Sequence, residues 1–332
     1  MQENVNLDLI AIGDAVADTF IRLSEGEEVW DANHTTEKLC LSFADKVPYE
    51  FAETIYAVGN SANAAVSASR LGLKSALISN IGDDQIGKDC LESLHQNVVD
   101  TSFIKVNQEM KTNHHYVLWF HDERTILIKH FEYPYEMPNV GNPKWLYLSS
   151  LGASSLEFHT KIADYLENHP DIKLCFQPGT YQMKFGTDAL KRIYVRSDLF
   201  FCNVGEAQRI LKTTETDIKK LMQTMREFGP KTVVITDGPK GAYAYDGQNF
   251  WFMKPYPDPK PPYERTGAGD AFSSTVTSAL ILGKSLSEAL EWGAVNSMSV
   301  VQDIGAQRGL LSEAKIKEWL DKKPGGWQAE KI

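Results

Sequence analysis

The stretch Glu264-Arg265-Thr266-Gly267-Ala268-Gly269-Asp270 leads directly into a helix-like run of residues from Ala271 to Leu282. The start of a helix leaves several backbone N–H groups without intrahelical partners, so this small-residue turn predicts a binding site for an anion such as phosphate. A carboxylate at Asp270 would repel that anion, but an enzyme that moves a phosphoryl group to a hydroxyl needs a base at this place. The other interpretation is a tight turn in which Asp270 caps the next helix.

The composition indicates one large α/β domain. The chain has 332 residues and 42% of them are hydrophobic, which is enough for a large core with a small appendage. Its net charge of −10 argues against a surface that binds nucleic acid or an anionic membrane. A polyanionic ligand must therefore be held by local amides and a metal ion.

The cysteine pattern and the N-terminal sequence indicate the cellular compartment of the protein. The four cysteines are scattered and form no C-x-x-C pair. Residues Met1 to Ile21 contain no charged segment followed by an uninterrupted apolar run, and the apolar runs of the chain are too short to span a bilayer. We therefore expect a cytoplasmic protein with reduced thiols.

Short apolar runs alternate with helical patterns along most of the chain. The predicted strands are Leu7 to Ile12, Ser75 to Ile81, Trp145 to Ser149, Ile172 to Phe176, Leu199 to Asn203 and Thr232 to Thr236. The predicted helices include Asn63 to Leu71, Glu157 to Glu167 and Thr216 to Phe228. This alternation predicts a mostly parallel sheet covered by helices on both faces.

Two segments, about 20–57 and 101–135, interrupt that alternation. In the second, β-rich runs from Asn113 to Phe120 and from Arg124 to His130 flank a polar break at Asp122-Glu123. Such a pair of runs predicts a β-hairpin. The alternative is an ordinary hairpin at a sheet edge.

The segment Thr266 to Asp270 resembles the signature D-T-x-G-A-G-D of the ribokinase-like (PfkB) family of sugar and nucleoside kinases, with Glu264 and Arg265 replacing the first two residues. Further motifs follow in family order from Ile10 to about Gln307. The resemblance implies a ribokinase-like three-layer sandwich with a mostly parallel sheet and a small β-sheet lid. It also implies one kinase domain over residues 1–332, with lid segments at about 20–57 and 101–135.

A second motif resembles the family's N-terminal signature G-G-x-x-x-N, although Val58 replaces its first glycine. The resemblance implies that Gly59, Asn60 and Asn63 bind substrate, since glycine lets the backbone approach a ligand and asparagine both donates to and accepts from hydroxyls. Asp18 matches an aspartate that binds substrate hydroxyls in this family. The alternatives are that Gly59 to Asn63 form only a turn with a helix cap, and that Asp18 is an ordinary surface acid.

The run from Gly82 to Asp89 spells G-x-x-x-x-G-K, the pattern of a P-loop. Asp89 stands where the Ser or Thr ligand of Mg²⁺ is needed, and Asp83 and Asp84 would repel phosphates. We therefore reject the P-loop, and the run instead resembles a structural G-D-D-x-x-G element of the family.

Further matches imply a nucleotide site. Asn203-Val204-Gly205-Glu206 resembles the family's N-x-x-E motif, in which Glu206 holds Mg²⁺ through water. Taken alone, these residues favour a helix cap. The remaining nucleotide-binding residues that the resemblance implies are Thr236, Gly238, Lys240 and Gly241 along the phosphates, where the alternative is a hairpin turn, and Asn296 near the base.

The family's loop for a monovalent cation corresponds to Gly305-Ala306-Gln307. Glu264 replaces an aspartate that helps to hold this cation in the family, and Arg265 adds a competing charge. Both departures count against dependence on K⁺.

The resemblance implies an ATP-dependent kinase that phosphorylates a small sugar, with Asp270 as general base and the amides of Gly267, Ala268 and Gly269 as anion hole. A nucleoside is the alternative acceptor, because Tyr116, Trp119 and Phe120 in the lid could stack on a base or only pack within the lid. The implied partners are therefore small molecules, and a homodimer through the lid stays open.

A third interpretation, from another class, is a catalytically silent sugar- or nucleotide-binding protein. The departures at Val58, Glu264 and Arg265 favour it. Retention of Asp270 and of the N-x-x-E motif argues against it.

Overall fold

A computed structural model describes residues 7–32, 37–121 and 123–332, so Asp122 of the expected polar break lies outside the described residues. The strands are β1 (Leu9–Ile12), β2 (Val16–Leu23), β3 (Glu27–Trp30), β4 (Glu37–Cys40), β5 (Tyr49–Val58), β6 (Ser75–Gly82), β7 (Ile104–Asn107), β8 (His114–Phe120), β9 (Glu123–Leu127), β10 (Trp145–Leu148), β11 (Lys173–Phe176), β12 (Leu199–Asn203), β13 (Thr232–Thr236), β14 (Ala242–Tyr245), β15 (Phe250–Met253) and β16 (Glu330–Lys331). The helices are α1 (Asn60–Arg70), α2 (Gln85–Gln96), α3 (Leu156–Asn168), α4 (Thr180–Ala189), α5 (Lys191–Arg196), α6 (Val204–Leu211), α7 (Ile218–Glu227), α8 (Ala268–Ile281), α9 (Leu286–Val300) and α10 (Glu313–Asp321).

The large sheet has the order β16-β15-β14-β13-β12-β11-β10-β1-β6-β7. Every neighbouring pair from β7 to β13 is parallel, and β14, β15 and β16 add antiparallel pairs at one edge. Each strand predicted from the sequence is present in this sheet, which confirms the mostly parallel α/β architecture.

Two hydrophobic cores lie on opposite faces of this sheet, because side chains alternate along a strand. In β1, Leu9 and Ala11 pack into one core, and Ile10 and Ile12 into the other. Helices α1, α2, α8, α9 and α10 contribute to the first core, and α3, α5, α6 and α7 contribute to the second. The result is the expected three-layer sandwich.

A separate four-stranded sheet, which we call the lid, has the order β5-β2-β8-β9. The β8–β9 hairpin is antiparallel, as expected, and β2 pairs with β8 in parallel. Phe20, Val117 and Trp119 on its inner face pack against Ile304 of the main domain. Within the two interrupting segments, β3 pairs with β4 in a two-stranded ribbon, and β7 belongs to the large sheet.

The carboxyl ends of the central strands meet at one edge of the large sheet, where parallel α/β folds bind ligands. Asp14 follows β1, Gln177 follows β11, Asn203 ends β12 and Thr236 ends β13. Within the described ranges, no helix is long and apolar enough to cross a membrane.

Candidate active site

The turn before α8 has the backbone conformation that its glycines suggested. Gly267 has φ 82°, in the left-handed region, and a Cβ atom at this position would collide with Ala306. Asp270 lies in the first turn of α8, beside the N–H groups that open this helix. The turn therefore places a carboxylate and an anion-binding helix terminus together.

Three side-chain amides hold the carboxylate of Asp270. Asn60 Nδ2 donates to Oδ1 at 2.7 Å, Gln177 Nε2 donates to the same oxygen at 3.2 Å, and Asn63 Nδ2 donates to Oδ2 at 2.8 Å. Burial raises the pKa of Asp270, the amide hydrogen bonds oppose that shift, and the charge of Asp18 adds to it. The carboxylate is thus fixed in orientation, and its affinity for a proton is greater than that of an ordinary aspartate.

Two of these amides, those of Gln177 and Asn63, are themselves oriented by further hydrogen bonds. Gln177 Oε1 accepts from the hydroxyls of Tyr147 and Ser273, so its NH₂ group must face Asp270. Asn63 Oδ1 accepts from Gln307 Nε2 at 3.0 Å. These bonds fix the NH₂ groups of Gln177 and Asn63 in the orientation that faces Asp270.

The start of α1 brings the two asparagines to this place. Gly59 precedes α1 with φ 103°, and a Cβ atom on it would lie 2.7 Å from the backbone oxygen of Asp14. Only glycine fits so close to the end of β1. Asn60 and Asn63, expected to bind substrate, therefore contact the expected base.

Asp18 lies on the inner face of the lid, near a second aspartate that the sequence reasoning did not single out. Asp14 accepts hydrogen bonds from the Tyr135 hydroxyl at 2.9 and 3.0 Å, and His130 Nδ1 lies 3.3 Å from its Oδ2. His115 Nδ1 lies 3.3 Å from Asp18 Oδ1, and the Nε2 atoms of the two histidines are 3.2 Å apart. We call Asp14, Asp18, His115, His130 and Tyr135 the acceptor wall.

Two adjoining cavities open at this edge of the sheet. One, of about 300 Å³, is lined by Asp270, Asn60 and Gln177, and by Asn203 and Glu206. The other, of about 420 Å³, has mostly apolar walls. The residues that line both are Arg124, Thr236, Arg265 and Gly269. A ligand with an apolar ring and a polyanionic tail fits this pair of cavities.

The predicted nucleotide residues divide into two groups. Thr236, Gly238 and Gly241 line the larger cavity, together with Tyr256, Met253 and Phe272. Lys240 is exposed and pairs with Asp237 at 3.3 Å, and it does not line either cavity.

Asn296 is fully buried and lies away from the cavity lining. Its Nδ2 donates to Thr275 Oγ1 at 2.7 Å, and its Oδ1 accepts from the backbone N–H of Leu311 at 2.9 Å. Both polar ends of Asn296 are thus used to hold α9 in place, and the neighbouring residues Ser297 and Met298 face the cavity.

Asn203 and Glu206 form a reciprocal capping box at the start of α6, which is the alternative that the sequence left open. Glu206 also faces the smaller cavity, where burial raises the pKa of its carboxyl. The described residues hold no cluster of three or more carboxylate, imidazole or thiol groups suited to a metal. A single carboxylate fits Mg²⁺ bound largely through water and phosphate oxygens, and it does not fit a cage made by protein alone.

The carboxylate of Glu264 is 2% exposed and supports the turn before α8. Its Oε1 accepts from the N–H and hydroxyl of Thr266, at 2.8 and 2.6 Å. Its Oε2 has no hydrogen-bond partner among the described residues, and Arg124 Nε of the lid lies 3.8 Å from its Oε1. A positive charge from the lid therefore already adjoins this carboxylate.

The lid aromatics lie on two faces. Trp119 is 2% exposed, with Arg22 above its ring and the edge of Tyr263 at 5.1 Å between centroids. Tyr116 lies on the opposite face of β8 and stacks on His114. Packing is thus the role that the structure gives Trp119.

Sequence reasoning missed four residues of this region: Asp14, Gln177, His115 and Arg124. Asp14 lies two residues after β1 and Gln177 directly follows β11, so the rule that ligands bind at the carboxyl ends of parallel strands would have indicated both. The alternation of side chains in β8 would also have placed His115 on the same face as Trp119. No local sequence pattern indicated that Arg124 belongs to the site.

Comparison with known proteins gives a consistent result. Residues 24–313 match the family model described as pfkB family carbohydrate kinase. The chain is 26% identical to an ATP-dependent 6-phosphofructokinase of Thermoanaerobacterium thermosaccharolyticum over 81% of this chain and 86% of that protein. It is also 26% identical to a nucleoside kinase of Methanothermobacter thermautotrophicus, over 76% of this chain and 80% of that protein.

The fold has a solved counterpart in the Arabidopsis thaliana ribokinase complexed with ribose and ATP. The TM-score is 0.77 at 20% identity, and the match covers 95% of this chain and 99% of that one. The family match spans most of the chain, including the turn that carries Asp270, and the chain belongs to the pfkB family of carbohydrate kinases.

Proposed function

We propose that this protein transfers the γ-phosphoryl group of ATP to a hydroxyl of a small, uncharged sugar. The observation that carries the proposal is the carboxylate of Asp270, which three amides fix beside a cavity at the N-terminus of α8. A fixed carboxylate next to unpaired helix N–H groups suits a base that works beside a phosphoryl group.

In the proposed reaction, the acceptor oxygen forms a bond to the γ-phosphorus while the bond to the leaving ADP oxygen breaks. Asp270 takes the proton of the hydroxyl, and the N–H groups of Gly267, Ala268 and Gly269 stabilise the charge on the transferred group. Mg²⁺, held through water by Glu206, would neutralise phosphate charge. Closure of the lid excludes water and so limits hydrolysis of ATP.

The charge of the acceptor wall supports a neutral acceptor. The hydrogen-bonding and ion-pairing partners of Asp14 and Asp18 in the described chain are Tyr135, His130 and His115, and none of them is Lys or Arg. A phosphate or carboxylate on the acceptor would meet these two carboxylates without a permanent positive charge to offset them. Sugar hydroxyls, by contrast, donate to carboxylates in strong, charge-assisted hydrogen bonds.

A nucleoside is the second candidate, and it is favoured by two rings of the acceptor wall and a third ring beside them. The rings of His115 and His130 are 5.0 Å apart, and Tyr181 meets His130 edge to face at 6.2 Å. Such a group of rings offers contacts to a base attached to the sugar.

The experiment is a measurement of acceptor-dependent ADP formation from ATP and Mg²⁺. The acceptors are D-ribose, D-fructose, adenosine, cytidine and fructose 6-phosphate. We expect a neutral acceptor to give the highest rate. A preference for fructose 6-phosphate would contradict the charge argument, and ATP binding without any acceptor-dependent ADP would instead favour a silent binding protein.

A further inference from the structure

The two cavities have few positive charges for a ligand with several negative ones. Among the described residues that line them, the cationic side chains are Arg124 and Arg265, whereas the acidic ones are Glu123, Glu206, Asp258 and Asp270. Apart from a metal ion and the N–H groups of the turn before α8, the two arginines are the groups in this lining that can offset charge on a transferring phosphoryl group.

Arg124 is the one of the two that belongs to the lid. In the β8–β9 hairpin it lies opposite Trp119, whose ring packs edge to face against Tyr263. Tyr263 in turn immediately precedes Glu264 in the segment that leads to Asp270. The hairpin that carries Arg124 is therefore anchored beside the anion-binding turn.

Among the described residues, the guanidinium of Arg124 has an ion-pair partner, Glu264, and no hydrogen bond. Its Nε lies 3.8 Å from Glu264 Oε1, which is too far for a hydrogen bond, and that oxygen already accepts twice from Thr266. In the part of the chain that the structure describes, the side chain of Arg124 donates no hydrogen bond. The side chain is 28% exposed, so its donors, which have no acceptor among the described residues, can reach a ligand in the cavity.

We propose that Arg124 is a catalytic residue, which leaves Glu264 on lid closure and donates hydrogen bonds to the oxygens of the phosphoryl group in transfer. The planar fork of an arginine matches phosphate oxygens, and it moves no proton, so the hydroxyl proton still goes to Asp270. This inference rests on the proposed kinase function. It adds to that function a requirement for the lid in the chemical step.

The competing explanation is that Arg124 only ties the lid to the main domain. The chain offers a matched control, because Arg308 of the main domain forms an ion pair with Glu53 of lid strand β5, with Nη1 3.1 Å from Glu53 Oε2. This pair also joins lid to domain, but Arg308 does not line either cavity. Loss of a tether alone would affect Arg124→Ala and Arg308→Ala alike.

The experiment compares wild type, Arg124→Ala and Arg308→Ala with ATP and whichever of D-ribose, D-fructose, adenosine and cytidine reacts fastest with the wild type. We expect Arg124→Ala to lower kcat by about 10²- to 10³-fold, somewhat less than the largest effects of such arginines. ADP affinity, measured by calorimetry, should stay within a few-fold of wild type. Millimolar guanidinium chloride should restore part of the lost rate, which sodium chloride should not do.

The Arg124 proposal is overturned by a near-wild-type kcat, by an equal loss in Arg308→Ala, or by the absence of guanidinium rescue. A wild type without acceptor-dependent ADP formation is a different result, since it contradicts the proposed kinase function itself. An active wild type with a fully active Arg124→Ala variant contradicts only the role of Arg124.

Discussion

Replacement of Asp270 by Asn tests the base while leaving the volume of the side chain unchanged. The carboxylate accepts from Asn60 and Gln177 on Oδ1 and from Asn63 on Oδ2. An amide at this position keeps an oxygen that accepts from Asn60 and Gln177. Its NH₂ group, however, then faces the NH₂ group of Asn63. One hydrogen bond to a charged group is therefore lost, which costs about 1.5–3 kcal/mol.

The substitution also removes the destabilising effect of burying the charge of Asp270. The folded-state pKa of Asp270 is raised above its ordinary value of 3.8, so the ionised form lowers the free energy of unfolding as the pH rises through that pKa. Asn is neutral and removes this cost. Since the two effects oppose each other, we expect the free energy of unfolding at neutral pH to fall by less than the lost hydrogen bond alone would cost, which is about 1.5–3 kcal/mol.

Turnover should respond far more than stability. Loss of a general base lowers kcat by about 10²- to 10⁴-fold, or about 2.7–5.4 kcal/mol in activation free energy. The rate of the wild type should rise with pH as Asp270 loses its proton, and the variant should lack this rise. Steady-state kinetics across pH, with ADP calorimetry and urea unfolding as controls, measure each quantity. A variant that turns over like the wild type with the same pH profile would refute the assignment of the base.

Three further substitutions test separate parts of the site. Glu206→Gln should raise the Mg²⁺ concentration for half-maximal rate, while the capping box with Asn203 survives because Gln also fits it; an unchanged metal titration leaves Glu206 as a helix cap only. Asp18→Asn should raise the acceptor KM about 10- to 10²-fold by removing a charged hydrogen-bond acceptor, and an unchanged KM removes Asp18 from the acceptor site. Gly267→Ala should lower both urea midpoint and kcat, because its Cβ collides with Ala306; a stable, active variant contradicts the strained turn.

The strands and helices of the main domain were predictable because their signals are local. A buried parallel strand such as β13 is a short apolar run between polar segments, and its neighbours in sequence are its neighbours in the sheet. The β8–β9 hairpin is equally local. The parallel pairing of β2 with β8 joins residues about a hundred positions apart, and no local pattern encodes it.

The site was predictable as a set of motifs and not as a set of contacts. Asn63 and Asp270 were singled out separately, the first for substrate and the second for catalysis. The hydrogen bond between them spans 207 positions, so only the fold reveals that the asparagine holds the base. Asn296 shows the converse, since a residue assigned to the nucleotide by its motif is buried between α8 and the segment that precedes α10.

As the proposed base, Asp270 takes the proton of the acceptor hydroxyl while the phosphoryl group moves from ATP to that hydroxyl. The most direct measurement follows ³²P from the γ-position of ATP into D-ribose, D-fructose, adenosine or cytidine in a single turnover, with wild type and Asp270→Asn side by side. We expect labelled phosphoester from the wild type with at least one acceptor, and transfer by the variant that is slower by about 10²-fold or more. Label released only as inorganic phosphate would contradict the proposed kinase activity. Transfer at equal rates by both proteins would contradict the role of Asp270 as base.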